Sequence, residues 1–321
     1  MGRLLVTGAS GFVGVWVLRH WQARHPDVEV WATSDQPRPP EAAEETFRRL
    51  DLCDAEAVAG LVREVRPTEV IHLAARIRAD SLADYLAVNV LGTENLYRAL
   101  AADGAAADVR VVQAGSAAIY GKVRPEDLPI GEDRPLAPVT PYALSKAAQD
   151  ELACLTHPQA GLGVVRARIF NMIGPGQPEN LVPMAFVQQL AAVRNGQADR
   201  LLVGNVEPRR DFLDVRDVVG ALDALLGRGG AGCAYNVGSG RDVAIGELVT
   251  MLLEVEGLEV PVEVDPSRVR PVDVACVRAD VSRIRKATGW QAGIGVRESL
   301  RAMWESVNEA GPSGNRGVSH G

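Results

Sequence analysis

The first half of the chain alternates short apolar, β-rich runs with longer stretches in which apolar residues recur at helical spacing. This alternation is typical of βαβ units, in which helices connect neighbouring parallel strands and cover the sheet. The predicted strands are Arg3–Thr7, Val28–Ala32, Glu69–Leu73, Val109–Ala114 and Gly163–Ile169. The predicted helices between them are Val13–Arg24, Ala55–Val65, Tyr85–Ala102 and Pro141–Leu155. The pattern therefore predicts an α/β fold with a doubly wound parallel sheet.

The pattern changes after Phe170, where a segment rich in glycine and proline interrupts the alternation. The predicted elements that follow are helices near Pro183–Arg194, Val215–Leu226, Ile245–Glu256, Val281–Thr288 and Val296–Asn308, and strands at Leu201–Val203 and Ala234–Val237. We expect a main domain over residues 1–170 with returns near 207–240. Residues 171–206 and 241–310 are expected to form a smaller, interleaved C-terminal substrate lobe. The tail, residues 311–321, is polar and glycine-rich and is predicted to be disordered.

Composition narrows the class of protein. The chain has 321 residues and a net charge of −7, which argues against broad binding to nucleic acid or to an anionic membrane. Its four cysteines lack CxxC spacing, so no zinc site or disulfide framework is indicated and no bound metal is expected. No apolar run reaches membrane-spanning length, and the segment from Met1 to Thr7 leads into a glycine turn rather than forming a signal peptide. These features predict a cytoplasmic enzyme.

A glycine-rich turn follows the first predicted strand directly and opens the first helix. Glycines at positions 8, 11 and 14 give the spacing GxxGxxG, a variant of the dinucleotide-binding fingerprint of Rossmann folds. Such a turn lets the backbone approach a pyrophosphate, which then sits on amides at the helix N-terminus. The alternative is a turn that serves packing alone. The residues predicted to bind the cofactor here are Gly8, Ser10, Gly11, Phe12, Val13 and Gly14.

Two further stretches fit a dinucleotide. Asp51 and Leu52 follow a region that should lead past the adenine, and Asp51 could accept a hydrogen bond from its amino group. The competing interpretation is that Asp51 is a solvated acidic residue in a loop. The small residues of Leu73-Ala74-Ala75 allow close approach to the cofactor at the end of the third strand. His72, in that strand, is interpreted as a core histidine.

The choice between NAD(H) and NADP(H) depends on the end of the second strand. NAD-binding folds place an acidic residue there to bind the ribose hydroxyls. Here the stretch reads Trp31-Ala32-Thr33-Ser34, Asp35 arrives late, and Arg38 is close by. The pattern leans slightly towards NADP(H) and leaves NAD(H) open.

A tyrosine and a lysine four residues apart are candidates for proton transfer. Tyr142 precedes Lys146 in a chain with three lysines against 31 arginines. This spacing puts both side chains on one face of a helix that Thr140 can cap and Pro141 can begin. A lysine ammonium lowers the pKa of a neighbouring phenol, so Tyr142 is a candidate general acid or base at a carbonyl oxygen. The alternative is an ordinary amphipathic helix with a packed tyrosine and a solvated lysine.

Together, these motifs resemble the extended short-chain dehydrogenase/reductase family, whose members modify nucleotide sugars. The motifs that carry the resemblance beyond the glycine turn are His72-Leu73-Ala74-Ala75, Asn89 with Gly92-Thr93, Tyr120-Gly121, Tyr142 with Lys146, Arg168-Ile169-Phe170-Asn171, Arg210-Asp211-Phe212, Tyr235-Asn236-Val237 and Arg270-Pro271. The resemblance implies that Ser116 is the third catalytic residue and also contacts the substrate. It further implies that Asn171, Arg210 and Arg270 bind the diphosphate or nucleotide of a nucleotide-sugar substrate, and that the protein is a homodimer.

The residues before Tyr120 distinguish reactions within that family. Related 4,6-dehydratases carry an acidic residue just before the Tyr-Gly pair, whereas this chain has Ala117 and Ala118. The chain most resembles the enzymes that reduce GDP-4-keto-6-deoxymannose. The predicted function is therefore an NAD(P)H-dependent 4-ketoreductase of a nucleotide-linked 4-keto-6-deoxyhexose. The alternatives are an epimerase or 4,6-dehydratase with tightly bound NAD, and a catalytically silent nucleotide sensor.

Overall fold

A computed structural model describes residues 2–102, 107, 109–269 and 274–309. The predicted disordered tail, residues 311–321, lies outside the described residues. The main sheet has seven parallel strands: β1 (Arg3–Thr7), β2 (Glu29–Ser34), β3 (Phe47–Arg49), β4 (Glu69–His72), β5 (Arg110–Ser116), β6 (Val164–Ile169) and β11 (Ala234–Val237). Their order is β11-β6-β5-β4-β1-β2-β3, so the winding reverses between β1 and β4. In doubly wound sheets this reversal opens a crevice at the carboxyl ends of the strands, where ligands bind.

Helices cover both faces of this sheet. The helices are α1 (Phe12–Arg24), α2 (Ala55–Val65), α3 (Leu82–Leu86), α4 (Thr93–Ala101), α5 (Pro141–Ala160), α6 (Val182–Arg194), α7 (Val215–Arg228), α8 (Ile245–Glu256), α9 (Ser282–Thr288) and α10 (Val296–Glu309). Alternate residues of a strand point to opposite faces. Accordingly, Leu4 and Val6 of β1 pack in a core with α1 and α7, whereas Leu5 packs in a core with α2, α4 and α5. The predicted doubly wound α/β fold is confirmed.

Smaller sheets and a third core lie after β6. The remaining strands are β7 (Asn171–Ile173), β8 (Leu201–Val203), β9 (Arg209–Arg210), β10 (Phe212–Asp214), β12 (Val243–Ala244), β13 (Val262–Val264) and β14 (Cys276–Val277). They form the pairs β10-β7 and β13-β8 and the three-stranded sheet β12-β9-β14. Apolar residues of α6, α8 and α10 pack together in a core separate from the two beside the main sheet. Within the part of the chain that the structure covers, no helix has both the length and the apolar character required to cross a membrane.

One predicted helix, Tyr85–Ala102, is interrupted in the structure. A π-helical segment, Ala87–Gly92, separates α3 from α4. Within it, the amide of Asn89 donates to the Arg76 carbonyl at 3.0 Å and to Ser145 Oγ at 2.9 Å. A π-helical bulge inserts one extra residue into a helical turn. Contacts with two other segments of the chain accompany this irregularity, so helical periodicity alone did not predict it.

Candidate active site

The glycine turn joins β1 to α1 at the carboxyl edge of the sheet. Gly8 has a φ of 71°, and a Cβ there would lie 2.7 Å from the backbone nitrogen of Ala74. Gly14 is equally restricted, because a Cβ at this position would meet the Ala9 carbonyl oxygen at 2.6 Å. Gly11 caps α1, whose first turn contains no acidic side chain. The turn and the helix N-terminus therefore form a cradle that fits the pyrophosphate of a dinucleotide.

The residues after β4 lie against this cradle. The backbone N–H of Leu73 donates to the Thr7 carbonyl at 3.2 Å, and that of Ala74 donates to Thr7 Oγ1 at 3.3 Å. Ala75 continues this segment and is partly buried. These bonds hold the segment Leu73–Ala75 close to the glycine turn.

The other predicted cofactor contacts lie in the loop after β3, in the glycine turn and at the start of α1. Leu52 is buried, whereas Asp51 is exposed and accepts a 2.9 Å hydrogen bond from the backbone N–H of Cys53. Ser10 Oγ donates to the carbonyl of Pro37 at 2.7 Å, while Phe12 and Val13 are partly buried at the start of α1.

The end of β2 combines one acidic residue with nearby guanidinium groups. Asp35 is exposed, and its Oδ2 lies 3.9 Å from Nη2 of Arg76. Arg38 is also exposed, and its guanidinium donates to the carbonyl of Ala42. The acidic residue that would bind ribose hydroxyls therefore lies beside one guanidinium group, that of Arg76.

Ser116 and Tyr142 meet beside the carboxyl end of β5. Thr140 caps α5 by accepting a 3.1 Å hydrogen bond from the N–H of Ala143, which places Tyr142 in the first turn. The Tyr142 ring meets the Tyr85 ring edge-on, with centroids 6.1 Å apart. Burial raises the pKa of the Tyr142 phenol, Tyr85 raises it further, and the hydrogen bond with Ser116 opposes the shift.

The sequence predicts that the ammonium of Lys146 lowers the pKa of Tyr142, and in the structure this ammonium donates its hydrogen bonds to other groups. Lys146 is almost fully buried, and Nζ donates to the Ala114 carbonyl at 2.7 Å and to Oε1 of Gln149. Burial lowers the pKa of Lys146 to about 8, and the carboxylate of Asp150 opposes this shift. The raised pKa of the Tyr142 phenol comes mainly from its own burial.

A buried chain of hydrogen bonds leads from Lys146 back to β1. Gln149 Nε2 donates to Thr93 Oγ1 at 2.8 Å, and Thr93 Oγ1 lies 2.9 Å from His72 Nε2. His72 Nδ1 lies 2.7 Å from Thr7 Oγ1. Burial and the charge of Lys146 lower the pKa of His72 to about 3. His72 is thus a neutral core histidine with both ring nitrogens paired, as predicted.

Two buried residues after Lys146 were missed in the sequence analysis. Gln149 binds the ammonium, and Asp150 accepts from Arg166 Nη1 and Arg168 Nη2, each at 2.7 Å. The ion cluster attaches α5 to β6. Its sequence signal was available, because Arg166 and Arg168 alternate along an otherwise apolar strand whose six residues are all buried.

The predicted substrate residues lie on the smaller strands. Asn171 is exposed at the start of β7, and its backbone N–H donates to the Asp211 carbonyl at 3.1 Å. Arg210, on β9, is partly buried, and its Nη1 donates to the Val274 carbonyl at 2.6 Å. Arg270 lies outside the described residues. The structure therefore brings Ser116 and Tyr142 together and places Asn171 and Arg210 on other sheets.

Comparisons with known proteins agree with these motifs. The model of the GDP-mannose 4,6 dehydratase family matches residues 5–303. GDP-6-deoxy-D-mannose reductase of Pseudomonas aeruginosa is 38% identical over 312 residues, which cover 95% of this chain and 97% of that protein. The solved structure of RMD from Pseudomonas aeruginosa complexed with NADPH has a TM-score of 0.85 at 35% identity, covering 96% of this chain and 99% of that one. UDP-glucose 4-epimerase of Thermus thermophilus in complex with NAD has a TM-score of 0.83 at 30% identity, with the same coverage. The chain therefore belongs to the GDP-mannose 4,6 dehydratase family, within the extended short-chain dehydrogenases/reductases.

Proposed function

We propose that the protein is an NAD(P)H-dependent 4-ketoreductase of a nucleotide-linked 4-keto-6-deoxyhexose, with GDP-4-keto-6-deoxymannose as the first candidate. The observation that carries this proposal is the pairing of Ser116 with Tyr142 beside two alanines, Ala117 and Ala118. The similarity to a GDP-6-deoxy-D-mannose reductase over nearly the whole of both chains supports the choice of nucleotide and sugar.

The glycine cradle fits the cofactor that this reaction requires. Gly8 and Gly14 stand where a Cβ would collide with backbone atoms, and this close packing keeps the turn compact for a pyrophosphate. Arg76 lies 3.9 Å from Asp35 near the predicted ribose position, and Arg38 is three residues from Asp35 in sequence, which favours the phosphate-bearing NADPH. Bound in this cradle, the cofactor supplies the hydride that reduces the C4 carbonyl carbon.

Tyr142 would donate a proton to the substrate oxygen, and Ser116 would hydrogen-bond to that oxygen. Because burial raises its pKa, the Tyr142 phenol keeps its proton at neutral pH and can give it to the oxygen as negative charge develops there. Ser116 would donate a hydrogen bond to the same oxygen. Lys146, with a pKa of about 8, is largely charged at neutral pH and would stabilise the phenolate that forms on Tyr142.

The two alanines argue against dehydration. Ala117 and Ala118 occupy a 3₁₀ turn that begins directly after Ser116. Related dehydratases have an acidic residue at this point, and a methyl group cannot transfer the proton that elimination of water requires. These alanines therefore favour reduction, even though the family is named after a dehydratase.

The direct test is oxidation of NADPH and of NADH by the purified protein in the presence of GDP-4-keto-6-deoxymannose or its dTDP counterpart. We expect stoichiometric oxidation with one of the substrates, and NMR of the product will give the configuration at C4. The second candidate is an epimerase, which the likeness to the Thermus thermophilus enzyme favours. An epimerase would oxidise no added cofactor with either substrate and would release bound NAD on denaturation.

We also propose that the protein is a homodimer through the outer face of α5. Leu144 and Leu155 lie about three helical turns apart on α5 and are 44% and 52% exposed, and Leu91, before α4, is 55% exposed. Light scattering coupled to size-exclusion chromatography will measure the mass. A dimer in the unmodified protein and a monomer in Leu144→Glu are expected, and a monomeric unmodified protein would contradict the proposal.

A further inference from the structure

Two histidines and one aspartate meet near the amino ends of the strands, at the edge opposite the glycine turn. His20 lies in the last two turns of α1, His25 follows its end, and Asp223 lies in the second half of α7. Oδ2 of Asp223 is 2.8 Å from His20 Nε2 and 3.0 Å from His25 Nε2. The Asp223 carboxylate is separated from these histidines by 203 and 198 residues in sequence, so only the packing of α7 against α1 brings them together.

The three donor atoms have the spacing and chemistry of a transition-metal site. All of them lie within 4.8 Å of one another. Zn²⁺ binds imidazole nitrogen and carboxylate oxygen at about 2.0–2.2 Å, so tetrahedral ligand atoms stand about 3.3 Å apart. The contacts between the carboxylate and the two imidazoles need to open by only a few tenths of an ångström to admit an ion. We propose that His20, His25 and Asp223 form a binding site for a divalent metal ion of the zinc type.

The surroundings hold the imidazoles in place. Trp21 is buried, and the His25 ring stacks on it with centroids 5.2 Å apart. The His20 ring is tilted against Trp21 at the same centroid distance of 5.2 Å. The backbone N–H of His25 also donates to the carbonyl of Trp21 at 2.8 Å. Ligands whose orientation is set by packing lose little freedom when the ion binds.

Access and charge also suit a cation. The side chains of His20, His25 and Asp223 are 22%, 35% and 30% exposed, so an ion can enter from solvent and keep a water as a fourth ligand. Glu69, the first residue of β4, interacts electrostatically with His25, Asp223 and Arg110, so a second carboxyl group and one guanidinium group also face the region. An ion held here would link the end of α1 to α7. Because α1 begins at the glycine turn, this link would stabilise the helix that forms the cofactor cradle.

The test uses the full-length protein without an added histidine tag, after treatment with a chelator. Titration calorimetry with ZnCl₂ at a mildly alkaline pH should give one ion per chain, and thermal denaturation should show a higher Tm with zinc. The substitutions His20→Gln, His25→Gln and Asp223→Asn should each weaken binding by more than about tenfold, since loss of an outer partner alone costs roughly 10–100-fold. Asp223→Asn keeps the shape of the side chain, so it tests the charge of the ligand with the least risk to folding.

Control variants separate this site from other zinc ligands. His157→Gln and Cys53→Ser remove an exposed imidazole and an exposed thiol elsewhere, and both should bind zinc as the unmodified protein does. Absence of stoichiometric binding, retention of binding in Asp223→Asn, or loss of binding in either control would overturn the proposal. Neither readout depends on reductase activity, so the result is independent of the proposed reaction.

Discussion

Gln149 accepts a hydrogen bond from the ammonium of Lys146, and its replacement offers a quantitative test of the active-site electrostatics. In Gln149→Met the side chain keeps its length but loses the oxygen that accepts from the ammonium, which leaves the Ala114 carbonyl as the remaining acceptor in the described contacts. A hydrogen bond to a charged group contributes about 1.5–3 kcal/mol, and one pKa unit corresponds to about 1.36 kcal/mol. Starting from about 8, the pKa of Lys146 should therefore fall to about 6–7.

The lowered pKa of Lys146 predicts a change in the pH dependence of kcat/KM. Lys146 is charged below its pKa, so at pH 8 the charged fraction falls from about one half to between about one tenth and one hundredth. If turnover requires the ammonium, kcat/KM at pH 8 should drop about 5- to 50-fold, while at pH 6 the loss should be about twofold or less. The pH profile of kcat/KM for NADPH-dependent reduction measures this directly, as a displacement of its alkaline limb to lower pH.

Two further variants test whether the alkaline limb moves in the expected direction. Gln149→Glu places a carboxylate against the ammonium, which should raise the pKa of Lys146 and move the alkaline limb to higher pH. Gln22→Met removes a helical glutamine on the exposed side of α1 and should leave the profile unchanged. If the alkaline limb stays in place in both Gln149 variants, the assignment of that limb to Lys146 is refuted.

Three further predictions concern the proton donor, the cradle and the buried ions. Tyr142→Phe should lower kcat by about 10²–10⁴ while the affinity for NADPH, measured by fluorescence titration, stays near that of the unmodified protein; normal turnover would exclude Tyr142 as the acid. Gly14→Ala forces a Cβ to within 2.6 Å of a backbone oxygen and should weaken NADPH binding and lower Tm, whereas Gly60→Ala, with open space around it, should do neither. Asp150→Asn leaves two buried arginines without their carboxylate partner and should lower the free energy of unfolding, measured with denaturant, by about 3–5 kcal/mol. The exposed Asp199→Asn should not change it measurably, and equal effects of the two substitutions would contradict the role of the buried ion pairs.

The elements predicted best were those that depend on near neighbours in sequence. The glycine turn was predictable because Gly8 and Gly14 occupy positions where a side chain cannot fit, so the residue type itself reports the constraint. The start of α5 was predictable because the cap at Thr140 and the proline after it act within one helical turn. The bounds of the predicted strands agreed with the structure to within about two residues. The strands that were not predicted are the short ones, of two or three residues each, which show no clear alternation: β3, β7, β9, β10, β12, β13 and β14.

Predictions failed where distant segments compete with local preference. The helix expected over Tyr85–Ala102 is divided by a π-helical segment in which Asn89 contacts Arg76 and Ser145, which are 13 and 56 residues away. Spacing also placed Lys146 on the face of Tyr142, but it could not show that Gln149 and the Ala114 carbonyl hold the ammonium.

The sequence by itself determined the alternation of strands and helices in the first half of the chain, the glycine turn and the identities of Tyr142 and Lys146 as candidates, and the family resemblance added Ser116. Only the tertiary structure decided the pKa values of Tyr142 and Lys146. Burial raises the first and lowers the second, and burial depends on the whole fold. Packing of α1 against α7 likewise decided that Asp223 meets two histidines. Periodicity and turn chemistry act over a few residues, whereas dielectric surroundings and ligand geometry depend on side chains that are hundreds of residues apart in the chain.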